Sequence, residues 1–512
     1  MWTRRSVVPI LYIFFGGLTF FVYGVDYGYL NGLLAAPLFI KKFGTYDAST
    51  DTYAILSSRL SLLSSTIYIG SFFGAFIAAA IGDKIGKKWG LLIGCFTFAA
   101  GAAIQLAAVN VNMFIAGRAI CGLQLAFALV LSPAYINEIA PKHLRGLGVS
   151  MGHQILTFGN FFTALMTYAA TRRTDELSYQ IPISLCIMAA GVCSLALLFM
   201  PETPMHWARR GNWEKSRATI AQMRSVPIDD PVVAEEVFDM QETMRYHNAL
   251  GESTWAELFH RQNIRRTFYS AANIVLYNAF SGTIFFLSYG AVFIRQAGFT
   301  NPIAVTALLA GTNAVGSFPG IWLVERLGRR PMKFIGGTGV AVCNLVCAVV
   351  YTVRPTAPET SKTIVAFITL GVFCLAAFYQ PAGWAYTAEI PTARLRQKTL
   401  GFANACCTLF LWTFQFCSPY IFQDPVYLGA KICYIWLGGI CICLVFDYFC
   451  LYETKGLSHH EIDMMMDAVI TASQSTKWGN ELIEARSDLP VVHEGEVCSV
   501  EENVGGEEKE KS

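Results

Sequence analysis

Long apolar runs, separated by short polar stretches, recur from one end of the chain to the other. A helix rises about 1.5 Å per residue, so roughly 20 apolar residues cross the core of a bilayer. The first such run extends from Val7 to Ile40. Others lie at 57–82, 87–108, 113–136, 147–170, 181–200, 268–294, 303–324, 332–353, 362–386, 397–421 and 427–451. Glycine is frequent inside them, as close helix packing in lipid requires. The pattern predicts an all-α membrane protein of twelve transmembrane helices in two six-helix halves. The N-terminal bundle covers 1–200 and the C-terminal bundle 268–465. The stretch 201–267 between them is too polar to cross and reads as a cytoplasmic linker with short helices. Residues 466–512 end acidic and poor in aromatics, and read as a disordered cytoplasmic tail.

Composition agrees with that class. Of 512 residues 54% are hydrophobic and 14% charged, against about 25% charged in soluble domains. A net charge of +2 offers no electrostatic footprint for nucleic acid. The start, MWTRRSVVP, precedes a long span without a small-residue cleavage site, so that span reads as a retained anchor. Basic residues concentrate after even-numbered spans, for example Lys84, Lys87, Lys88, Lys142, Arg326, Arg330 and Lys398. The positive-inside rule then places those loops and both termini in the cytoplasm, most simply at the plasma membrane. The 15 cysteines lie mostly inside apolar runs without metal-ligand or disulfide spacing, and read as small apolar filler. The pair His459–His460 reads as solvated. No metal and no cofactor are expected. An enzyme is excluded as a reading, because the chain presents no nucleophile–base pair, metal cluster or phosphate loop.

Asp26 is the only charge in the first run. A carboxylate within a bilayer is costly, about 2.5–3.5 kcal/mol on insertion scales, unless it is paired, hydrated or protonated. Its alternatives are a place on an ion pathway or a helix end in water. Several other spans carry single amides (Gln154, Asn160, Asn278, Asn313, Asn404), which together suggest the lining of a polar cavity.

The two halves also repeat one another. GDKIGKK after span two matches VERLGRR after span eight. NEIAPKHLRG after span four matches AEIPTARLRQ after span ten, and PETP after span six matches YETKG after span twelve. The interval from Glu138 to Glu202 equals that from Glu389 to Glu453. Six plus six spans in parallel repeats suit a transporter that rocks about a midplane site.

With these motifs in this order, over about residues 8–465, the chain resembles the sugar porter family of the major facilitator superfamily. The motifs are GVDYGYLNG, GDKIGKK, GRAICGLQLAFALVLSPAYINEIAPKHLRG, PETP, VERLGRRP, GWAYTAEIPTARLRQKT and ETKGLSHHEID. The AEIPTARLRQKT form is similar to the fungal branch of hexose, lactose and α-glucoside permeases. The resemblance implies the major facilitator fold. It assigns proton coupling to Asp26, facing Arg118, since passive members carry asparagine at the first position. It assigns substrate binding to Gln154, Asn160, Asn278, Asn313 and Trp384. It also implies an inner charge network that pins the halves together while the outside is open: Asp83, Glu138, Arg145, Glu202, Glu325, Arg326, Arg329, Glu389, Arg396 and Glu453.

Two motifs depart from the family pattern. The usual QQ-x-x-G-I-N of span seven reads NAFSGTI, so Ala279 and Ile284 stand where amides are common. Span ten has YQPAGW in place of W-G-P-x-x-W. The expected function is a proton-coupled importer of a sugar or sugar-like solute, whose partners are that carbohydrate-class solute, protons and the lipid bilayer. The open alternatives are a symporter of a uronate or quinate-like acid or of a disaccharide, and a passive uniporter or an exporter. A sugar sensor is disfavoured, because sensors of this family carry very long tails.

Overall fold

The computed structural model describes residues 4–47, 51–141, 145–249, 254–296, 301–355, 358–392, 394–423, 426–457, 459–468 and 470–487. Twelve long helical segments dominate it. They are α1 (Arg4–Leu33), α2 (Ser57–Lys84), α3 (Lys87–Leu106), α4 (Val111–Ile139), α5 (Arg145–Ala170), α6 (Leu177–Phe199), α7 (Ile264–Gln296), α8 (Pro302–Leu327), α9 (Arg329–Val353), α10 (Pro358–Glu389), α11 (Arg396–Phe422) and α12 (Ile432–Cys450). All but α5 are long and apolar enough to cross a membrane when judged alone. α5 joins the bundle by packing along α1.

Local chemistry explains where the segments start and break. The side chain of Asn110 accepts from the Met113 N–H at 2.8 Å and starts α4, and Asn301 followed by Pro302 starts α8. The run Val7–Ile40 does not form one span. α1 stops at Leu33 and a separate short helix, Pro37–Phe43, follows. Pro37 disfavours a helical residue before it and donates no backbone hydrogen bond. A two-stranded hairpin, Thr45–Asp47 against Thr52–Ala54, precedes α2. α7 and α10 each contain a π-helical turn, at Leu276–Phe280 and Leu375–Tyr379. Such turns weaken a helix locally and allow it to bend.

Within the first half α1 packs on α5, α2 on α4, and α3 on α4 and α6. In the second half α9 packs on α10 and α12, and α7 on α11. At Gly24 the contact between α1 and α5 is so close that a β-carbon would lie 2.0 Å from the Leu156 carbonyl oxygen. Large apolar side chains such as Phe73, Phe96, Phe199, Phe318 and Phe449 stand exposed on the periphery, as a lipid-facing surface requires. The halves meet through α2 with α11, α5 with α8, and α1 with the second part of α7.

The linker holds helices Pro204–Arg209, Trp213–Arg224 and Pro231–Ala249. Arg224 fastens it beneath the first half by donating to the Ile139 carbonyl at 2.8 Å while pairing with Glu236. The tail differs from expectation. Among the described residues beyond 465 there is a helix at Ser475–Ser487. Ala472 is buried with Leu451, Tyr452, Met465 and Met466, with Ile470 and Trp478 packed against them. The Tyr452 hydroxyl also donates to the Ile470 carbonyl at 3.0 Å. Apolar residues dispersed among polar ones supply the cover that composition alone concealed. The acidic end, 488–512, lies outside the described residues.

Candidate functional site

Asp26 and Arg118 meet inside the first half, 2% and 3% exposed. Arg118 Nη1 donates to both carboxylate oxygens, at 2.7 and 2.8 Å, and to the Tyr29 hydroxyl at 3.1 Å. Its Nε donates to the Leu63 carbonyl at 3.3 Å. The Tyr29 hydroxyl in turn donates to Gln105 Oε1 at 2.5 Å, and Gln105 Nε2 donates to Cys121 Sγ at 3.1 Å. Asp26 and Tyr29 are three residues apart and share one face of α1, while α4 presents Arg118. Burying two charges is tolerable only with such partners, and removing one of them typically costs about 3–5 kcal/mol. Tyr29 and Gln105 escaped the sequence reading, although the spacing of Tyr29 from Asp26 was a signal available there.

A second polar group lies where the halves meet. Gln154 Nε2 donates to the Ala314 carbonyl at 3.0 Å, and the Ser317 hydroxyl donates to Gln154 Oε1 at 2.7 Å. Both ends of that amide therefore bridge α5 to α8. Asn313, beside Ala314, is 5% exposed and its Oδ1 accepts no hydrogen bond. The Trp384 ring packs near His153 of α5 and Tyr277 of α7, with ring centres 6.5 and 6.1 Å away, and its indole N–H is also without a partner. Asn278, next to Tyr277, donates to the Ile274 carbonyl at 3.0 Å within the π turn. Trp384 shares a cluster with Tyr23, Tyr27, Ile284 and Trp412. Contacts of Trp384 with His153 and Tyr277, and of Gln154 with Ala314, link the stretches of α5, α7, α8 and α10 that carry Gln154, Asn278, Asn313 and Trp384. Asn160 stands apart, buried farther along α5 with its backbone against Gly24 and Gly28 of α1. His153 and Ser317 went unnoticed in the sequence, though Ser317 lies one turn from Asn313 on α8.

Among the described residues, the charged groups of the repeated motifs that pair do so within their own half or, as Asp83 does, with the linker. Lys87 bonds Glu138 in the first half. In the second, Arg329 holds Glu389 with two hydrogen bonds, Nη2 to Oε1 at 2.6 Å and Nε to Oε2 at 3.2 Å, and also reaches Glu325 at 3.1 Å. Asp83 meets Arg209 at 3.5 Å on the exposed surface, and Arg326 lies over the Trp322 ring. Arg396 keeps two buried N–H groups without partners, and Glu138 Oε2 likewise accepts nothing. The side chain of Arg145 lies outside the described residues.

Glu202 and Glu453 do something different. Glu202 accepts from the backbone N–H groups of Lys87 and Lys88 at 3.1 and 3.2 Å, the first residues of α3. Glu453 accepts from those of Arg329 and Arg330, both at 3.0 Å, the first residues of α9. Each carboxylate satisfies donors that a helix start leaves orphaned and faces the positive end of its dipole. The glycines of the repeated motifs make room for this. Gly86 has φ +114° and Gly328 φ +93°, and a β-carbon would lie 2.4 and 2.6 Å from the capping oxygens. Burial beside this cap pushes the His206 imidazole below its ordinary pKa.

Residues 11–466 match the family described as "Sugar (and other) transporter". The chain belongs to that family. It is a multi-pass membrane transporter of the sugar porter branch of the major facilitator superfamily, and not an enzyme. A major facilitator-type transporter, ecdD, of Aspergillus rugulosus is 31% identical over 91% of this chain and 88% of its own length. The high glucose sensor RGT2 of Saccharomyces cerevisiae is 29% identical over 98% of this chain and 66% of its own length. The proton:xylose symporter XylE of E. coli, solved with 6-bromo-6-deoxy-D-glucose, superposes with a TM-score of 0.74 at 18% identity, over 90% of this sugar porter and all of that chain. That likeness carries the twelve-helix fold of this sugar porter.

Proposed function

We propose that this sugar porter is a proton-coupled carrier that imports a sugar or sugar-like solute by alternating access. The observation that carries the coupling is the buried Asp26–Arg118 pair. A carboxylate that takes up a proton loses its ionic tie to the guanidinium, and a carboxylate held by that tie gives the proton up. Movement of Arg118 relative to Asp26 during the cycle therefore changes proton affinity, which coupling requires. The Tyr29–Gln105 relay supports this by holding the arginine in place while the pair is closed.

The state of the two gates supports alternating access. At the outer end Asn31 of α1 donates to the Leu287 carbonyl at 2.7 Å and accepts from the Ala291 N–H at 3.1 Å, both on α7. Ser61 of α2 donates to the Phe416 carbonyl of α11 at 2.7 Å. The described inner charges that pair meanwhile do so within their own half or with the linker. This is the arrangement of a carrier closed to the outside, in which spare groups of Arg396 and Glu138 are available for the opposite state.

The solute site is read as Gln154, Asn278, Asn313 and Trp384, with Asn160 as a more distant member. Amides donate and accept as hydroxyls do, and the indole offers an apolar face to ring C–H groups. Ile284 and Ala279 reduce the amide set on α7, which favours a uronate, a quinate-like acid or a disaccharide over glucose. The test is uptake by transporter-deficient cells of radiolabelled glucose, xylose, galacturonate, quinate, lactose and maltose, with and without a proton gradient. Gradient-dependent accumulation of one of these by the parent and not by Asp26→Asn supports the reading, and equal accumulation by both sinks the coupling. A sensing role, suggested by the likeness to RGT2, would appear as uptake of none of the six.

A further inference from the structure

A second buried ion pair sits in the C-terminal half, where no motif pointed. Lys333 of α9 and Asp447 of α12 are both fully buried, with Lys333 Nζ 2.7 Å from Asp447 Oδ1. The ammonium also donates to Asn273 Oδ1 at 2.5 Å, and the Tyr379 hydroxyl donates to Asp447 Oδ2 at 2.9 Å. Asn273 spends its amide N–H groups on α10, reaching the Gly383 carbonyl at 2.9 Å and the Thr387 hydroxyl at 2.7 Å. Four helices are thereby joined around one cation.

The architecture does not need this pair. Counted from the glycine that opens each repeat, Gly86 or Gly328, the position of Lys333 corresponds to Leu91, which is buried and apolar. A buried ion pair is also a poor source of stability, since apolar residues of similar volume often serve as well or better. What it adds is direction and a fixed set of partners. Those partners are placed where α7 and α10 can bend. Asn273 lies one turn before the π turn of α7, and Tyr379 closes the π turn of α10. Gly383, whose carbonyl is held, is bonded directly to Trp384.

We propose that Lys333 is a positioning residue for transport: paired with Asp447, it acts through Asn273 to set the segment of α10 that carries Trp384. The inference rests on the reading of Trp384 as part of the solute site. Lys333 fixes Asn273, and Asn273 holds the backbone carbonyl before the indole and the Thr387 hydroxyl after it.

The test uses the full-length protein with 5-fluorotryptophan incorporated, followed by fluorine NMR. The Trp384 line is assigned by its loss in Trp384→Phe, and the Trp89 line, from the other half, by its loss in Trp89→Phe. The double variant Lys333→Leu/Asp447→Leu copies the apolar solution of the first repeat. It is expected to shift or split the Trp384 line and leave the Trp89 line in place. Asn273→Ala keeps the ion pair and removes only the relay, so it is expected to move the same line and decides the matter if the double variant misfolds. A Trp384 line unmoved in the folded variants overturns the proposal. The solute-site reading is judged separately, by adding to the parent whichever of the six test solutes the cells accumulate. A Trp384 line that ignores that solute sinks the site reading and the transport role of Lys333 together, whereas a line that responds to the solute but not to the variants sinks Lys333 alone.

Discussion

The two halves are alike at their inner rims and unlike inside. At the rim Glu202 and Glu453 cap equivalent helices through equivalent glycines, with nearly equal hydrogen-bond lengths. Inside, the first half buries a carboxylate and a guanidinium between α1 and α4, and the second buries an ammonium and a carboxylate between α9 and α12. Features that hold a six-helix bundle together are needed twice and were kept twice. Each half holds a different buried pair inside, and these are the pairs to which coupling and positioning are proposed.

Asp26→Asn breaks the comparison most sharply. Concentrative uptake should be lost altogether and the pH dependence of uptake removed, while exchange across the membrane persists. Transport assays with imposed gradients check this, and undiminished accumulation would reduce the first pair to a structural role.

Lys333→Leu alone should come next, because it strands Asp447 without its counter-ion. Loss of one partner of a buried pair costs about 3–5 kcal/mol, enough to deplete surface expression. The double variant with Asp447→Leu should recover most of that expression. Fluorescence-detected size exclusion of tagged protein would read both, and equal expression of the single and double variants would argue against a tightly coupled pair.

Gln154→Ala tests the seam between the halves. It removes the bridge from α5 to the Ala314 carbonyl and the Ser317 hydroxyl, which keep their bond to each other. If the amide also binds a solute hydroxyl, as proposed, losing that bond raises the half-saturation concentration roughly five- to hundredfold, for about 1–3 kcal/mol. Uptake kinetics normalised to surface protein measure it. A rise in glucose competition would contradict the reduced amide set of α7.

The two caps offer a matched pair of smaller effects. Glu202→Ala and Glu453→Ala should each destabilise by about 1 kcal/mol, the usual worth of a helix cap, and thermal melts of the purified variants should fall by similar amounts. Widely different shifts would mean that the repeats are equivalent in sequence but not in load. The smallest effect belongs to Asp83→Ala. Its pair with Arg209 is exposed on both sides, so the melting temperature should remain within error of the parent.

Much of this was legible in the chain. Twelve apolar runs and the duplicated glycine–acid motifs gave the class, the two-half organisation and the inner rim, because lipid demands long helices and a repeat announces itself in linear order. The lone Asp26 gave the coupling candidate for the same reason: a charge is conspicuous in an apolar run. Lys333 was not conspicuous, since it follows Arg329 and Arg330 closely and reads as one more cytoplasmic base. Asp447 sits near the end of α12, where a charge could equally meet water. The helix at Ser475–Ser487 was hidden by the composition of the tail around it.

The sequence by itself determined that the chain is a succession of long apolar helices, which loops repeat and which residue types could bear charge, since these follow from local hydrophobicity and order along the chain. Only the tertiary structure decided the partners. Whether Glu202 pairs with a cation or caps a helix depends on where α3 begins in space. Whether Gln154 is free or bridges to Ser317 depends on how α5 meets α8. Whether Lys333 faces water or Asp447 depends on the way α9 is turned against α12. Each is a matter of a few ångströms between segments far apart in sequence, and no linear pattern encodes that distance.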